Sequence, residues 1–118
     1  MKKDLKEKTF ELSRRIVRMF VALPKTRLAQ ALGLQVLRSG TSVGANYREA
    51  NQGRSKAEFI AKIGDCLKEP DENLYWLDLL AAENVMASER LGPLQGEVSE
   101  IIAIFTTILK NAKRSSGK

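Results

Sequence analysis

Apolar residues recur along this chain at steps of three and four, in four blocks set apart by short stretches rich in polar residues, glycine or proline. That period marks amphipathic helices, whose buried stripe returns about every 3.6 residues. In the first block Leu5, Leu12, Ile16, Met19 and Leu23 share a face, and Phe10, Val17 and Phe20 widen it. Lys6, Glu7, Glu11, Arg14, Arg15 and Arg18 take the opposite side. Pro24 ends this helix, predicted over residues 4–23, because proline disfavours helical geometry in the residue before it and has no N–H to donate.

The second helix is predicted over 27–51 with Thr26 as its N-cap, and runs through Leu28, Leu32, Val36, Ser39, Val43, Tyr47 and Ala50. Gly33, Gly40 and Gly44 lie on an adjacent stripe with Leu37. Each glycine costs about 1 kcal/mol relative to alanine inside a helix. The expected offset at Gly40 and Gly44 is close approach of a neighbouring helix, since a missing side chain lets backbones come together. The segment GTSVGA also resembles a phosphate-binding loop, but no strand precedes it and no Gly-Lys-Ser/Thr ending follows.

Asn51, Gln52 and Gly53 break the pattern, and Ser55 with Glu58 forms a capping box that starts a third helix over 55–84. Phe59, Ile60, Ile63, Cys66, Leu67, Leu74, Leu77, Leu80 and Ala81 form its apolar face, with a kink expected at Pro70. The polar stretch 83–93 reads as a link, with Gly92 and Pro93 as the cap and first position of a last helix over 93–113. Leu94, Val98, Ile101, Ile102, Phe105, Ile108, Leu109 and Ala112 give that helix its buried face, and residues 114–118 form a basic tail expected to fray. Four amphipathic helices on short links predict an all-α fold, an antiparallel up-down-up-down four-helix bundle in one domain over 1–118.

Composition narrows the chemistry more than the fold. The 118 residues contain no histidine, which removes the commonest general base, the commonest metal ligand and the usual partner of a serine or cysteine nucleophile. The single Cys66 cannot form an internal disulfide and sits among apolar neighbours, as expected of a core residue in a cytoplasmic protein. Apolar runs are too short to span a bilayer, and the lysine-rich start leads into an amphipathic pattern rather than a signal-peptide core, so no membrane association is expected. A net charge of +6 permits attraction to a polyanion, and equally serves solubility.

Polar residues fall on helix faces expected to be partly buried: Arg38, Ser42, Asn46 and Glu49 on the second helix, with Glu69, Glu72 and Asn73 on the third. A structural hydrogen-bond and ion-pair network is the preferred reading, with Arg38 meeting Glu69 or Glu72, because a stranded buried charge costs several kcal/mol. The competing reading, a carboxylate metal site, lacks the Glu-x-x-His pairs a bundle di-metal centre uses. No cofactor, metal or catalytic group is expected. Tyr75 and Trp76 read as core or interface anchors before base-stacking groups. The candidate nucleic-acid contacts are Arg14, Arg15, Arg18, Lys25 and Arg27, together with Lys110, Lys113 and Arg114.

The segments LRSGTSVGANYREA and SKAEFIAKIGDCLKEPDENLYWLDLL resemble the bacterial family of proteins encoded in intervening sequences of the large ribosomal RNA gene. Arg38, Ser42 with Val43, Asn46 and Glu49 match that family's second helix. Ser55, Glu58, Phe59, Glu69, Glu72, Tyr75, Trp76 and Leu77 match its third, whereas Pro70 stands where a helix former is expected. The resemblance implies a left-handed bundle that assembles as a homopentamer, and kinship with basic accessory proteins of diversity-generating retroelements. It attaches no enzymatic activity. The expected function is therefore a non-enzymatic homo-oligomeric scaffold or adaptor for RNA, DNA or a nucleic-acid enzyme. The alternative is a protein-interaction module with no nucleic-acid role.

Overall fold

A computed structural model describes residues 4–116, so the expectations for Met1 to Lys3 and for Gly117 and Lys118 lie outside the described residues. These residues form α1 (Leu5–Ala22), α2 (Arg27–Ala50), α3 (Lys56–Cys66), α4 (Lys68–Ala82) and α5 (Ser88–Ser116). Asp4 caps α1 by accepting from the Glu7 N–H at 2.8 Å, and Thr26 caps α2 by accepting from the Ala29 N–H at 3.2 Å. Ser55 caps α3, accepting from the Glu58 N–H at 3.1 Å. Each cap satisfies a donor that the first helical turn leaves free.

The predicted third helix is two segments, α3 and α4, which both pack between α2 and α5. Pro70, buried at the third position of α4, has no N–H for the Cys66 carbonyl one turn earlier, and its ring crowds that carbonyl. The regular ladder therefore ends at Cys66, and the Leu67 N–H turns back to Gly64 at 3.4 Å. Leu67 itself keeps helical angles, so the two segments make one broken rod.

The last helix starts earlier than the sequence pattern suggests, at Ser88 rather than residue 93, and it carries Pro93 inside it. Gly92 is consequently helical and not a cap. Pro93 is exposed, as is Glu89, so the carbonyl it leaves unbonded can be hydrated. The true link is short because Asn84 ends α4 in the left-handed region, with φ 54°. The Val85 N–H bonds Leu80 at 3.0 Å and the Asn84 N–H bonds Ala81 at 3.1 Å, the paired closure of a Schellman motif. At the other end α5 continues to Ser116 and takes in most of the tail expected to fray.

The core joins Leu12, Ile16, Met19 and Leu23 of α1 to Val36, Val43, Tyr47 and Ala50 of α2, Ile63 and Cys66 of α3, Leu77 and Leu80 of α4, and Leu91, Leu94, Val98, Ile101 and Phe105 of α5. Tyr47 stacks on Phe105 with ring centroids 5.9 Å apart and meets Phe59 edge-on at 6.5 Å. α1 packs on α2 and α5, the α3–α4 rod packs on the same two helices, and among the described residues the diagonal pairs meet only through core side chains such as Tyr47 and Phe105, with no close approach of their backbones. That is a square bundle, 53 × 28 × 22 Å in extent.

The glycines of α2 are contact points with α1. A Cβ on Gly40 would collide with Ile16 Cδ1 and stand 2.9 Å from Asn73 Nδ2, and one on Gly44 would stand 3.2 Å from the Thr9 carbonyl oxygen. Gly33 performs the same service for Phe20 and Leu23.

Candidate functional site

Of the seven polar residues singled out on α2 and α4, the bundle brings three together. The Arg38 guanidinium donates to Glu72 Oε2 and lies 3.6 Å from Glu69 Oε1. Glu72 also accepts from Trp76 Nε1 at 3.0 Å, while Gln35 accepts from Arg38 at 3.2 Å. The group is half exposed, on the outside of the α2–α4 seam rather than in the core. The other four do not join it. Ser42 donates to its own helix, at the Arg38 carbonyl, at 2.8 Å. Glu49 faces α3 and pairs with Lys62 at 3.6 Å, and Asn46 lines a small cleft with Glu49, Lys62, Asp65 and Cys66.

The hydrogen bond from Trp76, and then the charge and hydrogen bond of Arg38, hold the Glu72 carboxyl below its ordinary value, against the opposing effect of burial. Its folded value is thus depressed, so its contribution to stability is present above the unfolded value and is lost as pH falls through the folded one. Trp76 is the only tryptophan of the chain and reports the event directly. Its fluorescence should titrate with a midpoint below the ordinary glutamate value, and Glu72→Gln should abolish the transition.

The buried polar pair is a different one. Asn73, wholly buried, donates from Nδ2 to the Val36 carbonyl at 2.9 Å and to Ser39 Oγ at 3.1 Å, while Ser39 donates to the Gln35 carbonyl at 2.6 Å. Asn73 Oδ1 accepts no hydrogen bond among the described residues. Sequence spacing groups Asn73 with Glu69 and does not pair it with Ser39, because two helices must be docked before that partner exists.

Cys66 is buried as expected. Burial, then the charges of Asp65 and Glu49, push its thiol up to about 11 against the effect of Lys62. It stays protonated at neutral pH and is a poor nucleophile. Labelling by a thiol reagent should be slow in the native protein and accelerate many-fold in denaturant; equal rates in both would contradict this account. No group of three or more His, Cys, Asp or Glu side chains among the described residues could hold a metal ion.

The basic residues separate into two sets. Arg15 is held by Glu97, and Lys8 by Glu100 at 2.5 Å. These ion pairs hold α5 against α1; Arg18, Lys25 and Arg27 follow towards the end of the bundle where α1 finishes, and Arg14 stands at the middle of α1. Lys110, Lys113 and Arg114 lie towards the other end, beyond the cleft formed by Asp4, Leu5, Ile104 and Ile108. The sequence pattern treats them as one group. It also misses Arg90, which joins Arg15 and Arg18 around a cleft floored by Met19, Met86 and Leu94. Arg90 is hidden in a stretch that reads as a link, and only the early start of α5 reveals it.

Several large apolar side chains lie outside the core. Phe10 is 51% exposed, Val17 45%, Val21 67% and Leu34 54%. The helical period puts Phe10 and Val17 on the widened buried face of α1, and Leu28 on that of α2; all three are exposed. The bundle needs only one stripe per helix, and Leu12, Ile16, Met19 and Leu23 already supply α1's. Arg48 lies over the Phe10 ring, 5.6 Å from its centroid. Tyr75, expected to anchor the core or an interface, is also exposed and meets Trp76 edge-on at 5.0 Å.

An all-helical bundle with a surface ion-pair network and exposed apolar and basic faces defines this protein as a small helical-bundle protein. The profile of the family described as "23S rRNA-intervening sequence protein" matches residues 1–107, and the chain belongs to that family. A solved structure, described as a protein with unknown function from the S23 ribosomal protein family from Bacteroides thetaiotaomicron VPI-5482, is similar at 37% identity and a TM-score of 0.83, over 91% of this chain and 99% of that one. No curated protein sequence matches. No helix among the described residues is long and apolar enough to cross a membrane.

Proposed function

We propose that this protein is a non-enzymatic, homo-oligomeric scaffold or adaptor of the cytoplasm, a left-handed up-down-up-down bundle assembling as a pentamer and presenting basic surfaces to RNA, DNA or a nucleic-acid enzyme. The observation that carries the reading is the stripe of exposed Phe10, Val17 and Val21 on α1 beside exposed Leu34 on α2. Exposed large apolar side chains gathered on one face mark an interaction site on a small protein. Short links of 23–26, 51–55 and 83–87 support alternating helix directions.

The basic end, with Arg18, Lys25, Arg27 and Arg90, supports the nucleic-acid part. Repeated around an assembly, it offers a phosphate backbone several engagements at once. Light scattering during size-exclusion chromatography tests the assembly: a mass several times that of the chain is expected, and a monomer at every concentration would sink the reading. Fluorescence anisotropy with single-stranded RNA and duplex DNA tests the partner. Binding should weaken steeply between about 50 and 200 mM salt. Arg18→Gln and Arg90→Gln should each lower the salt slope by about 1. An assembled protein that binds neither probe at low salt would instead be a protein-interaction module.

A further inference from the structure

The helical glycines of this chain divide into two kinds. Gly33, Gly40 and Gly44 on α2 have neighbours from α1 in the space of the missing Cβ. Gly64 on α3 and Gly92 and Gly96 on α5 have nothing within 4 Å there. Glycine inside a helix is less favourable than alanine, and contacts within the chain account for it only in the first kind. Gly92 and Gly96 continue at helical spacing into Ser99 and Ala103, all exposed, so one side of α5 is a smooth strip more than two turns long. Asp78 of α4 lies next to this strip, since it accepts from Gln95 at 2.8 Å, and Asp71 is two turns before it on the same side of α4. The outer face of α5 is therefore small-residued, and α4 beside it carries Asp71 and Asp78 with the exposed Tyr75 between them.

The outer face of α1 and α2 has the opposite character. Its exposed apolar side chains, Phe10, Val17, Val21 and Leu34, project from it, and Arg14 and Arg48 stand among them. These two faces are on opposite sides of the square, because among the described residues the backbone of α1 comes close to neither α3 nor α4, and that of α2 does not come close to α5. Their features also match along the bundle. Arg15 pairs with Glu97 and Lys8 with Glu100, so Val17 stands near the height of Gly96 and Phe10 near that of Ser99 and Ala103.

We propose that the α1–α2 outer face of one copy docks, head to tail, on the α4–α5 outer face of the next. Projecting Phe10 and Val17 fill the strip left by Gly96 and Ala103, and Arg14 and Arg48 approach Asp71 and Asp78. The proposal rests on the homo-oligomeric reading above and names the surfaces that make it. An interface of two unlike faces repeats in one direction and closes into a ring when its rotation allows. Two like faces would give an isolated dimer instead.

The test uses two single substitutions at exposed positions, Val17→Glu and Gly96→Glu, with circular dichroism to confirm folding; Val21→Glu and Gly92→Glu replace either one that fails to fold. Each variant alone should lose the assembly and run as a monomer. Mixed, the two should form a heterodimer, because the intact α4–α5 face of Val17→Glu meets the intact α1–α2 face of Gly96→Glu. If the unsubstituted protein assembles and Gly96→Glu keeps its mass, or if the mixture stays monomeric, the pairing of these faces is wrong while the oligomer stands. If the unsubstituted protein is itself monomeric, the oligomeric reading falls as well.

Discussion

Asn73→Asp should cost this protein about 3–5 kcal/mol at neutral pH, the magnitude seen when a buried charge lacks its partner. Asn73 is wholly buried between α2 and α4, and both of its contacts there are made as a donor, to the Val36 carbonyl and to Ser39 Oγ. A carboxylate cannot donate, so it would confront the Val36 carbonyl oxygen with a negative charge. The cationic side chain nearby in the sequence of α2, Arg38, is already engaged by Glu72 and Glu69 on the bundle surface. Against a total stability of about 5–15 kcal/mol, this is a large fraction. Thermal melts should show a fall of roughly 10–20 °C.

The pH dependence gives that prediction its signature. Burial without a partner raises the folded pKa of the new carboxyl above its unfolded value of about 3.9. The penalty is then complete above the folded pKa and disappears below the unfolded one, so the variant should regain stability relative to the parent as pH falls. The protonated acid keeps one donor for Val36. Asn73→Leu, which branches at the same carbon and carries no charge, should show no such recovery at low pH. An aspartate variant as stable as the parent at neutral pH would mean that water reaches this seam.

Phe105→Ala should lower stability by about 3–5 kcal/mol, the range for removing a large core aromatic. Phe105 is completely buried on α5 and its ring lies nearly parallel to that of Tyr47, 5.9 Å away. Removing it takes a stacking partner from Tyr47 and leaves a void where helices α2 and α5 both contribute side chains. Urea unfolding should show a lower midpoint with an unchanged slope, since the bundle loses packing rather than its fold. A shift smaller than about 1 kcal/mol would show that this end of the bundle collapses onto the space.

The course of α1 is legible in the amino-acid order because its signals are local. Asp4 and Glu7, Pro24 and a stripe of Leu12, Ile16, Met19 and Leu23 act within a turn or two of one another. The caps at Thr26 and Ser55 are equally plain. The sequence misleads where a local signal has two meanings. Gly92 and Pro93 look like a helix start, yet Asn84 closes α4 tightly enough for α5 to begin at Ser88. Pro70 marks a disturbance correctly, and its missing donor displaces the break to Cys66 and Leu67.

The candidate site is less legible for a physical reason. Arg38 with Glu69 and Glu72 follows from charge and helix spacing, but Glu49 turns to Lys62, Asn73 to Ser39, and Arg90 to Arg18's cleft. These partners lie on different helices, and helical period says which side a residue faces on its own helix without saying what stands opposite.

The amino-acid order alone therefore specified the helices, most of the core stripe and the reason for Gly40 and Gly44, because short-range sterics, capping and hydrophobic period are encoded within a few residues. Docking of the helices chose the rest. It sent Phe10 and Val17 outward although their period fitted the core, divided the basic residues between two ends, and left Gly92 and Gly96 open on the face opposite the projecting side chains. Those outcomes depend on contacts between residues far apart in the chain, where a pattern of one helix carries no information about its neighbour.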